Sequence, residues 1–530
     1  MTAQVFTGGD ILTMTEERYP EALAIRDGII IAVGALADCR ASVGSGAEVI
    51  DLGGRVLMPG FIDAHCHPLM LGQSLTWVDC SPDQVPSIEA MVKLLAGRGG
   101  TLRAGAPIWG YGYHQGRLAE RRHPNRQDLD LVATDRPVMV MHTSGHGIVV
   151  NTLMLQRMGV DDATPDPDGG VIERDAAGHA TGLLWDAATD LITGEGGVKI
   201  TNHGPNFHIP DAQSELLDAL DLAQDIFLAK GVTTVLDAQV SRREMSVWLA
   251  ARDLGRLRLR TGMLVLSSLL DEVLALGLNS TLGDHQLAFL GIKCYADGSL
   301  TSYNANISAD YAFDPCHHGH VYHSDSELKD LIGRAHAVGL QVGIHAQGDA
   351  AIRSTLDAIQ QAQSMFPRSD VRHRVEHCGL PGDEEIARMA DLGVFAVNQS
   401  QHHFLYGKAV ARAVGAGGDR YNPLGSLHRA GVEVALSSDA PVSMPDPLAT
   451  VFAAVTRASV EGGVVGDLSE SITVEQALWA HTMGGARSMH REAKVGSLAP
   501  GKFADLITLD QNPLKVAVAE IPFIQARVLG

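Results

Sequence analysis

The chain has 530 residues, 45% of them hydrophobic and 19% charged, which is typical of a globular protein with a large buried core. Its 62 acidic and 41 basic residues give a formal net charge of −21, which disfavours binding to nucleic acid or to an anionic membrane surface. The first residues lack a basic stretch before an apolar segment, and no apolar run reaches the length of a membrane span, so neither a signal peptide nor an anchor is predicted. Six cysteines lie scattered without CxxC spacing, which is typical of reduced thiols and predicts a cytoplasmic location.

Both ends of the chain show the pattern of short β-strands joined by turns. Residues 1–57 contain alternating apolar and polar runs, with Asp27-Gly28 as a hairpin signal. Residues 495–530 include VGSLAPGKFADLITLD, in which Pro500-Gly501 marks a turn between two short strands. We therefore predict that the two ends form one small β-sandwich domain, with the middle of the chain inserted between them.

The middle of the chain, residues 58–494, repeats a helix, a glycine and an apolar strand. A glycine separates each of four helical stretches from the strand that follows: Gly231, Gly339, Gly393 and Gly431. With FIDAHCH, LRTGMLVL, LGIKCYADG and RHRVEHC, eight buried strands can be counted. Strands that alternate with helices indicate a parallel sheet, and eight of them predict an α/β fold, a (β/α)8 TIM-like barrel. Residues 75–206 do not fit the repeat, so we predict an inserted subdomain after the first barrel strand, over the barrel mouth.

Two histidines one residue apart follow the first barrel strand, in MPGFIDAHCHP. Strand alternation places Asp63, His65 and His67 on one face. Two imidazoles on a rigid strand suit zinc or another borderline transition ion, although a bare His-x-His is more often an ordinary polar pair. Four more ligand-type residues lie at later strand ends: Lys293, His345, His377 and Asp439. Catalytic groups converge at the carboxyl ends of barrel strands, so these six residues predict an open site for one or two divalent metal ions.

Other residues near the predicted mouth are weaker candidates. His146 in SGHGIVV is either an oxyanion-stabilising group or an ordinary loop histidine. Asp63 either orients a ligand histidine or supports the strand. Arg374 and Glu376 lie opposite His377 in strand alternation and are interpreted as a structural ion pair. Substrate contacts are predicted, with simple packing or strand capping as the alternative, for Trp109, Tyr113, Asp297, Tyr303 and His402.

Motifs along nearly the whole chain resemble the amidohydrolase superfamily of metal-dependent hydrolases: PGFIDAHCHP, GIK…DG, IHAQGD, VEHC, SSDAP and VGSLAPGKFADLITLD. Four further motifs resemble the branch of this superfamily that contains the N-substituted formamide deformylases: WGYGYHQGRLAERRHPNRQDLDLVATDRPV, GHGIVVN, TGLLWD and ITVEQALWAHTMGGARSM. The resemblance implies His65 and His67 on one metal ion and His345 and His377 on a second. It further implies Lys293 as a carbamylated bridge and Asp439 as the acid/base. Two departures, TSYNANIS after DGSL and Tyr113-His114 in place of a Trp-Asp pair, leave the substrate unassigned.

The predicted function is hydrolysis of a C–N bond in a small-molecule amide or formamide. A bound metal lowers the pKa of water to about 7. Hydroxide then attacks the carbonyl, while Asp439 takes up the proton and returns it to the leaving nitrogen. Zinc is the expected ion, and a homo-oligomer is compatible with a barrel of this size. Two alternatives stay open: hydrolysis of a cyclic amide or deamination of a heterocycle at the same site, and a non-catalytic scaffold or regulatory protein, which retention of all six ligand-type residues disfavours.

Overall fold

A computed structural model describes residues 3–194, 196–314 and 316–529. Its centre is an eight-stranded sheet of parallel strands that follow one another in chain order. The barrel strands are β1 (Phe61–Cys66), β2 (Val232–Val240), β3 (Arg260–Leu266), β4 (Leu287–Tyr295), β5 (Gln341–Ala346), β6 (Arg374–His377), β7 (Phe395–Asn398) and β8 (Val434–Leu436). Backbone bonds from Asp439 N to the His65 carbonyl (2.8 Å) and from His67 N to the Ala440 carbonyl (2.9 Å) join β1 to the segment after β8. These features confirm the predicted (β/α)8 barrel.

Helices cover the outer face of the barrel. They span Gln213–Ala229, Arg242–Asp253, Leu270–Ala275, Asp325–Ala337, Asp349–Met365, Asp383–Leu392, Ser400–Val414, Leu424–Arg429, Pro447–Thr456, Val474–Trp479 and Gly485–Ser488. Ser324 begins one of them with a capping box, its side chain bonding the Glu327 N–H and the Glu327 carboxylate bonding back. Leu328 and Ile332 of that helix are buried in one apolar cluster with Val342 of β5, and each such burial contributes about 1.5–3 kcal/mol. The four glycines predicted to end helices all have positive φ: Gly231, Gly339, Gly393 and Gly431.

The two ends of the chain form a pair of four-stranded sheets. One has the strand order Ile29–Gly34, Ala22–Arg26, Ala3–Thr7 and Glu48–Asp51, with helix Leu36–Val43 packed on it. The other has the order Asp10–Ile11, Val56–Pro59, Leu506–Leu509 and Ala526–Leu529. The hairpin predicted at Asp27-Gly28 is present, and both residues have the positive φ (52° and 76°) that its turn requires. The domain boundary predicted after residue 57 falls inside the strand Val56–Pro59.

A third sheet forms from the segment between β1 and β2. Its six strands lie in the order Gly170–Arg174, Ala180–Asp186, Gly147–Val150, Val138–His142, Ile108–Tyr113 and Val78–Asp79. Helices Pro68–Ser74, Ile88–Gly99, Arg126–Asp130 and Thr152–Met158 belong to the same segment. Along Val138–His142, alternate side chains enter two different apolar clusters, so both faces of this sheet are covered. Thr143 reaches the barrel side, where its hydroxyl is 2.8 Å from that of Tyr406, and the insertion thus lies at the carboxyl ends of the barrel strands.

Two further findings concern the whole described chain. Among the residues that the structure describes, no helix combines the length and the apolar character needed to cross a bilayer. All six cysteines are described and all are unpaired. The three that neighbour predicted ligands, Cys66, Cys294 and Cys378, are buried in the apolar layer between strands and helices. Burial raises the pKa of each of these thiols, so they are protonated at neutral pH.

Candidate active site

The six predicted ligand residues lie together at the carboxyl ends of the barrel strands. The rings of His65 and His377 have centroids 4.8 Å apart, and those of His345 and His377 are 4.5 Å apart. Asp439 Oδ1 lies 3.1 Å from His67 Nε2 and 3.5 Å from His65 Nε2. Residues that are far apart in the barrel segment therefore lie close together in space.

Two of these residues occupy unusual backbone conformations. His377 has φ 68° and Asp439 has φ 56°, in the left-handed region that costs a non-glycine residue about 1–3 kcal/mol. The turn at His377 breaks the alternation of β6, so Glu376 and His377 both direct their side chains toward the histidine cluster. Strain of this kind clusters at functional sites, where the surrounding structure holds it in place.

Burial sets the charge of the cluster. It lowers the pKa of His65 and His377 well below the ordinary value, and the nearby Lys293 ammonium acts in the same direction. Burial also lowers the pKa of His345 well below 6.5, assisted by its histidine neighbours. At neutral pH these three imidazoles are uncharged, which is the form that binds metal ions. Burial lowers the pKa of Lys293 to about 8, so a substantial share of this amine is neutral near physiological pH.

The buried polar atoms of the cluster fit a metal ion. Lys293 Nζ and His402 Nε2 are buried and make no hydrogen bond within the described part of the chain, an arrangement that costs about 1–3 kcal/mol for each unpaired group. Two sets of three residues have ligand atoms within 4.8 Å of one another: His65, His67 and Asp439, and His377, His402 and Asp439. Nitrogen and carboxylate donors in such sets suit a divalent transition ion. His402, predicted as a substrate contact, thus lies close enough to Asp439 to be a ligand.

Two of the predicted ligand histidines, His65 and His377, are held by hydrogen bonds on Nδ1. His65 Nδ1 is 2.6 Å from Glu376 Oε2, and Arg374 Nε donates to Glu376 Oε1 at 2.7 Å. His377 Nδ1 bonds the side-chain oxygen of Gln399 at 2.8 Å. The predicted Arg374–Glu376 ion pair is present, and Glu376 also bonds His65, a contact that no sequence pattern indicates. Such carboxylate–histidine pairs fix the tautomer and orientation of a metal ligand.

Asp63 supports Asp439 through the backbone. Its carboxylate accepts hydrogen bonds from Ser438 Oγ (2.5 Å) and Ser438 N (3.1 Å). Burial raises the pKa of Asp63 to about 7. Within β1 it bonds the His65 backbone N–H at 3.4 Å and not the imidazole. Asp63 therefore links β1 to the segment after β8 that carries Asp439.

The cluster surrounds a cavity of about 20 Å³, called the inner cavity below. It is lined by the four histidines, His146, His402, Asp439 and neighbouring residues. His146 comes from the insertion, is 5% exposed, and its ring centroid is 5.2 Å from that of His345. The volume is enough for about one water molecule or ion.

A larger cavity of about 860 Å³, called the outer cavity, lies between the insertion, the loop after β4 and helix Ser400–Val414. Ser302 lines it, and the preceding residue, Thr301, lines the inner cavity. Its walls include the aromatic rings of Trp185, Tyr303 and Phe313 and the side chains of Gln115 and Asn304. Cavities of about 300–1,000 Å³ hold small-molecule ligands. Of the residues predicted to contact substrate, Tyr303 lines the outer cavity and His402 and His146 line the inner one.

Three other predicted substrate contacts lie elsewhere. Tyr113 is buried in the insertion, with its hydroxyl 3.0 Å from His123 Nδ1, and Trp109 packs on the opposite apolar cluster of that sheet. The Asp297 carboxylate accepts hydrogen bonds from three backbone N–H groups, and burial raises its pKa to about 8. None of the three lines either cavity. Trp109 and Tyr113 belong to a sheet whose two faces are covered, and Asp297 bonds backbone N–H groups after β5 and lies 3.7 Å from His345 Nε2. Their roles in substrate binding stay predictions.

A family model described as "Amidohydrolase family" matches residues 48–528. The chain belongs to the amidohydrolase family. It is a metal-dependent hydrolase that acts on carbon–nitrogen bonds, and the resemblance to the branch with N-substituted formamide deformylases is confirmed. The N-substituted formamide deformylase of Arthrobacter pascens is 28% identical over 95% of this chain and 92% of its own. Protein LONG AFTER FAR-RED 3 of Arabidopsis thaliana is 30% identical over 96% of this chain and 87% of its own. The structure of an uncharacterized metal-dependent hydrolase from Pyrococcus horikoshii OT3 has a TM-score of 0.77 at 27% identity, covering 98% of this chain and 99% of that one.

Proposed function

We propose that this amidohydrolase cleaves the amide or formamide bond of an N-substituted small molecule. One observation carries the proposal: imidazoles and the carboxylate of Asp439 line the inner cavity, and the outer cavity of about 860 Å³ is lined by Ser302, the residue after Thr301 of the inner cavity. The first arrangement suits hydrolysis at a carbonyl, and the second accommodates a bulky substituent. The Arthrobacter pascens relative, named for N-substituted formamides, supports this choice of substrate class.

The cofactor in this proposal is a divalent cation, with zinc as the ion. When bound, such an ion polarises a carbonyl and lowers the pKa of water. Six residues would hold it: His65, His67, Lys293, His345, His377 and Asp439. A neutral lysine amine reacts with carbon dioxide to give a carbamate, and the lowered pKa of Lys293, about 8, makes that form accessible.

Asp439 is the acid/base in the proposal. Burial alone would raise the pKa of Asp439, but the hydrogen bond from His67 and the neighbouring histidines hold it below its ordinary value. The ionised carboxylate accepts the proton of the attacking water and passes it to the leaving nitrogen. This second transfer is needed because an amide anion is a poor leaving group. His146, on the insertion side of the inner cavity, donates toward the carbonyl oxygen as negative charge develops there.

Elemental analysis and a substrate panel test the proposal together. Purified protein is assayed for bound metal and for amine release from N-substituted formamides and acetamides, before and after chelation and re-addition of zinc. Zinc-restored amine release from open-chain substrates is the expected result, with about two ions per chain if Lys293 is a bridge. Release of ammonia from heterocycles, or ring opening without a free amine, would move the substrate to the other class. No metal-restored activity on any of these compounds would overturn the proposal.

A further inference from the structure

Asp186 lies at the end of the insertion strand Ala180–Asp186 and is 1% exposed. Its backbone has φ 52° and ψ −124°, a conformation that a non-glycine residue keeps only when its surroundings impose it. Its backbone N–H donates to the His146 carbonyl at 2.7 Å. The two residues are therefore joined through their main chains, in the ladder between neighbouring strands of the insertion sheet.

The side chain of Asp186 contacts His146 as well. Its Oδ1 lies 2.8 Å from His146 Nδ1. Carboxylates accept hydrogen bonds, so Nδ1 carries a proton, and Nε2 is the nitrogen that faces the inner cavity. His146 Nε2 makes no hydrogen bond within the described residues, and the His146 side chain lines the inner cavity.

Two side chains from the loop after β4 also donate hydrogen bonds to the Asp186 carboxylate. Tyr322 donates its hydroxyl to Asp186 Oδ1 at 2.6 Å, and Asn304 donates Nδ2 to Oδ2 at 2.8 Å. Asn304 also lines the outer cavity, as does Trp185, the residue before Asp186. The carboxylate thus lies between the wall of the outer cavity and a side chain of the inner one.

We propose that Asp186 is a positioning residue for His146. It accepts from His146 Nδ1–H and so aims Nε2–H at the carbonyl oxygen of the substrate, a donation that requires both ring nitrogens to carry a proton, while Tyr322 and Asn304 keep the carboxylate in place. The proposal rests on the proposed function, in which His146 stabilises the developing oxyanion. Because Asn304 and Trp185 also form the outer wall, a substituent seated there contacts the residues that set the orientation of His146.

Kinetic analysis of Asp186→Asn tests the role, with Asp190→Asn as a matched control. Asp190 is four residues away and also accepts several hydrogen bonds, from Thr201 N (2.9 Å) and Asn206 Nδ2 (2.7 Å) among others, without contacting His146. We expect Asp186→Asn to lower kcat about 10–100-fold with a smaller change in KM and with metal content unchanged. Equal losses of kcat in the two variants would overturn the proposal, because they would indicate general damage to the insertion.

A double-mutant cycle asks whether Asp186 acts through His146. Adding Asp186→Asn to His146→Ala should cause no further loss of kcat. If the second change slows the His146→Ala enzyme by the same factor as the wild type, the two residues act independently and the proposal fails. Should Asp186→Asn fold poorly, Tyr322→Phe removes one hydrogen bond to the same carboxylate and should lower kcat by a smaller factor, again only when His146 is present.

A spectroscopic measurement separates this proposal from the proposed function. Protein with 15N-labelled histidine is compared with its His146→Ala variant, which identifies the His146 signals by their absence. A protonated Nδ1 on His146 is expected in the wild-type protein, and its loss or exchange broadening in Asp186→Asn. An unprotonated Nδ1 on His146 in the wild type would overturn the positioning role even if the enzyme hydrolyses amides. Conversely, a protonated Nδ1 in a protein without amidase activity would leave the positioning role standing and the proposed function refuted.

Discussion

Buried histidines lie at both ends of the barrel and differ in how their ring nitrogens are satisfied. At the amino ends of the strands, His336 Nδ1 bonds His373 Nε2 (2.9 Å), His336 Nε2 bonds the Phe366 carbonyl (2.8 Å) and His373 Nδ1 accepts from Val342 N (3.0 Å). All four nitrogens are used. At the carboxyl ends, His377 has one nitrogen bonded to Gln399 and the other without a hydrogen bond within the described residues. Burial lowers the pKa of His373 at one end and of His377 at the other, so charge does not distinguish the two ends. What distinguishes them is that every ring nitrogen of the structural pair is hydrogen-bonded, whereas, among the described residues, a ring nitrogen at the candidate site is not.

The largest effect on turnover should come from Asp439, the proposed acid/base at the carboxyl ends of the barrel strands. Asp439→Asn keeps the shape of the side chain but cannot take up the proton of the attacking water, so we expect turnover to fall by about 10³-fold or more while metal stays bound. Steady-state rates and elemental analysis measure the two quantities.

Asp446→Asn is the matched control for that variant. Asp446 caps the following helix by accepting from Ala449 N at 3.0 Å. Asparagine caps a helix about as well as aspartate does, so the control variant should keep normal stability and normal turnover. Unchanged turnover in Asp439→Asn would refute the acid/base assignment.

A second test examines whether Lys293 is the proposed carbamylated bridge. Lys293→Arg keeps a positive charge but cannot form a carbamate, and we expect loss of at least one metal equivalent and of most activity. Incorporation of 13C-bicarbonate, followed by NMR of the carbamate carbon, should label the wild type and not the variant. Lys502→Arg is the control, since burial also lowers the pKa of Lys502 and that amine bonds Ser497 (2.6 Å) away from the site. A full metal complement in Lys293→Arg would exclude the bridge.

A smaller effect on metal affinity is expected from Glu376, which bonds Nδ1 of the predicted ligand His65. Glu376→Gln weakens the contact with His65 Nδ1, which should reduce metal affinity about 10–100-fold. Competition with a chromophoric chelator measures it. Glu385→Gln provides the comparison, because Glu385 is equally buried and pairs with Arg353 (2.9 Å) in the helix layer. Equal metal affinities in the wild type and Glu376→Gln would reduce Glu376 to the structural ion pair that the sequence suggested.

A change in the His336–His373 pair, at the amino ends of the strands, should lower the stability of the protein without changing its metal content. His373→Gln leaves buried partners unsatisfied, so the free energy of unfolding should fall by about 1–3 kcal/mol at pH 7. Metal content should be unchanged. Urea denaturation of the metal-loaded proteins provides the measurement, and a loss of metal in this variant would break the comparison between the two ends.

The same variant predicts a pH dependence. Burial lowers the pKa of His373 to about 3, against 6.5 in the unfolded chain, so the unfolded state binds more protons between these values. The stabilising contribution of His373 is present above pH 6.5 and is lost as the pH falls toward 3, by up to about 1.4 kcal/mol per unit. The stability difference between wild type and His373→Gln should therefore shrink on acidification. A difference that stays constant from pH 7 to pH 4.5 would contradict this.

Local patterns sufficed for the barrel but not for all of its site. The eight strands and the six ligand-type residues follow from hydrophobic periodicity and from the convergence of strand ends. The contact between Glu376 and His65 joins residues 311 positions apart and depends on a left-handed turn at His377, which no periodicity encodes. Asp186 carries no sequence signal for the same reason, and the covered sheet that contains Tyr113 does not follow from the pattern of the insertion.

The pairing of the chain ends has a consequence for biosynthesis. The strand Val56–Pro59 leads directly into β1, and its partner Leu506–Leu509 is made about 450 residues later. At about 5–20 residues per second, a ribosome needs roughly 20–90 s to supply that partner. Until then the nascent chain carries an unprotected strand edge beside the segment with the predicted ligand histidines. Completion of the fold is thereby tied to completion of translation, and chains truncated before residue 506 should be aggregation-prone and dependent on chaperones.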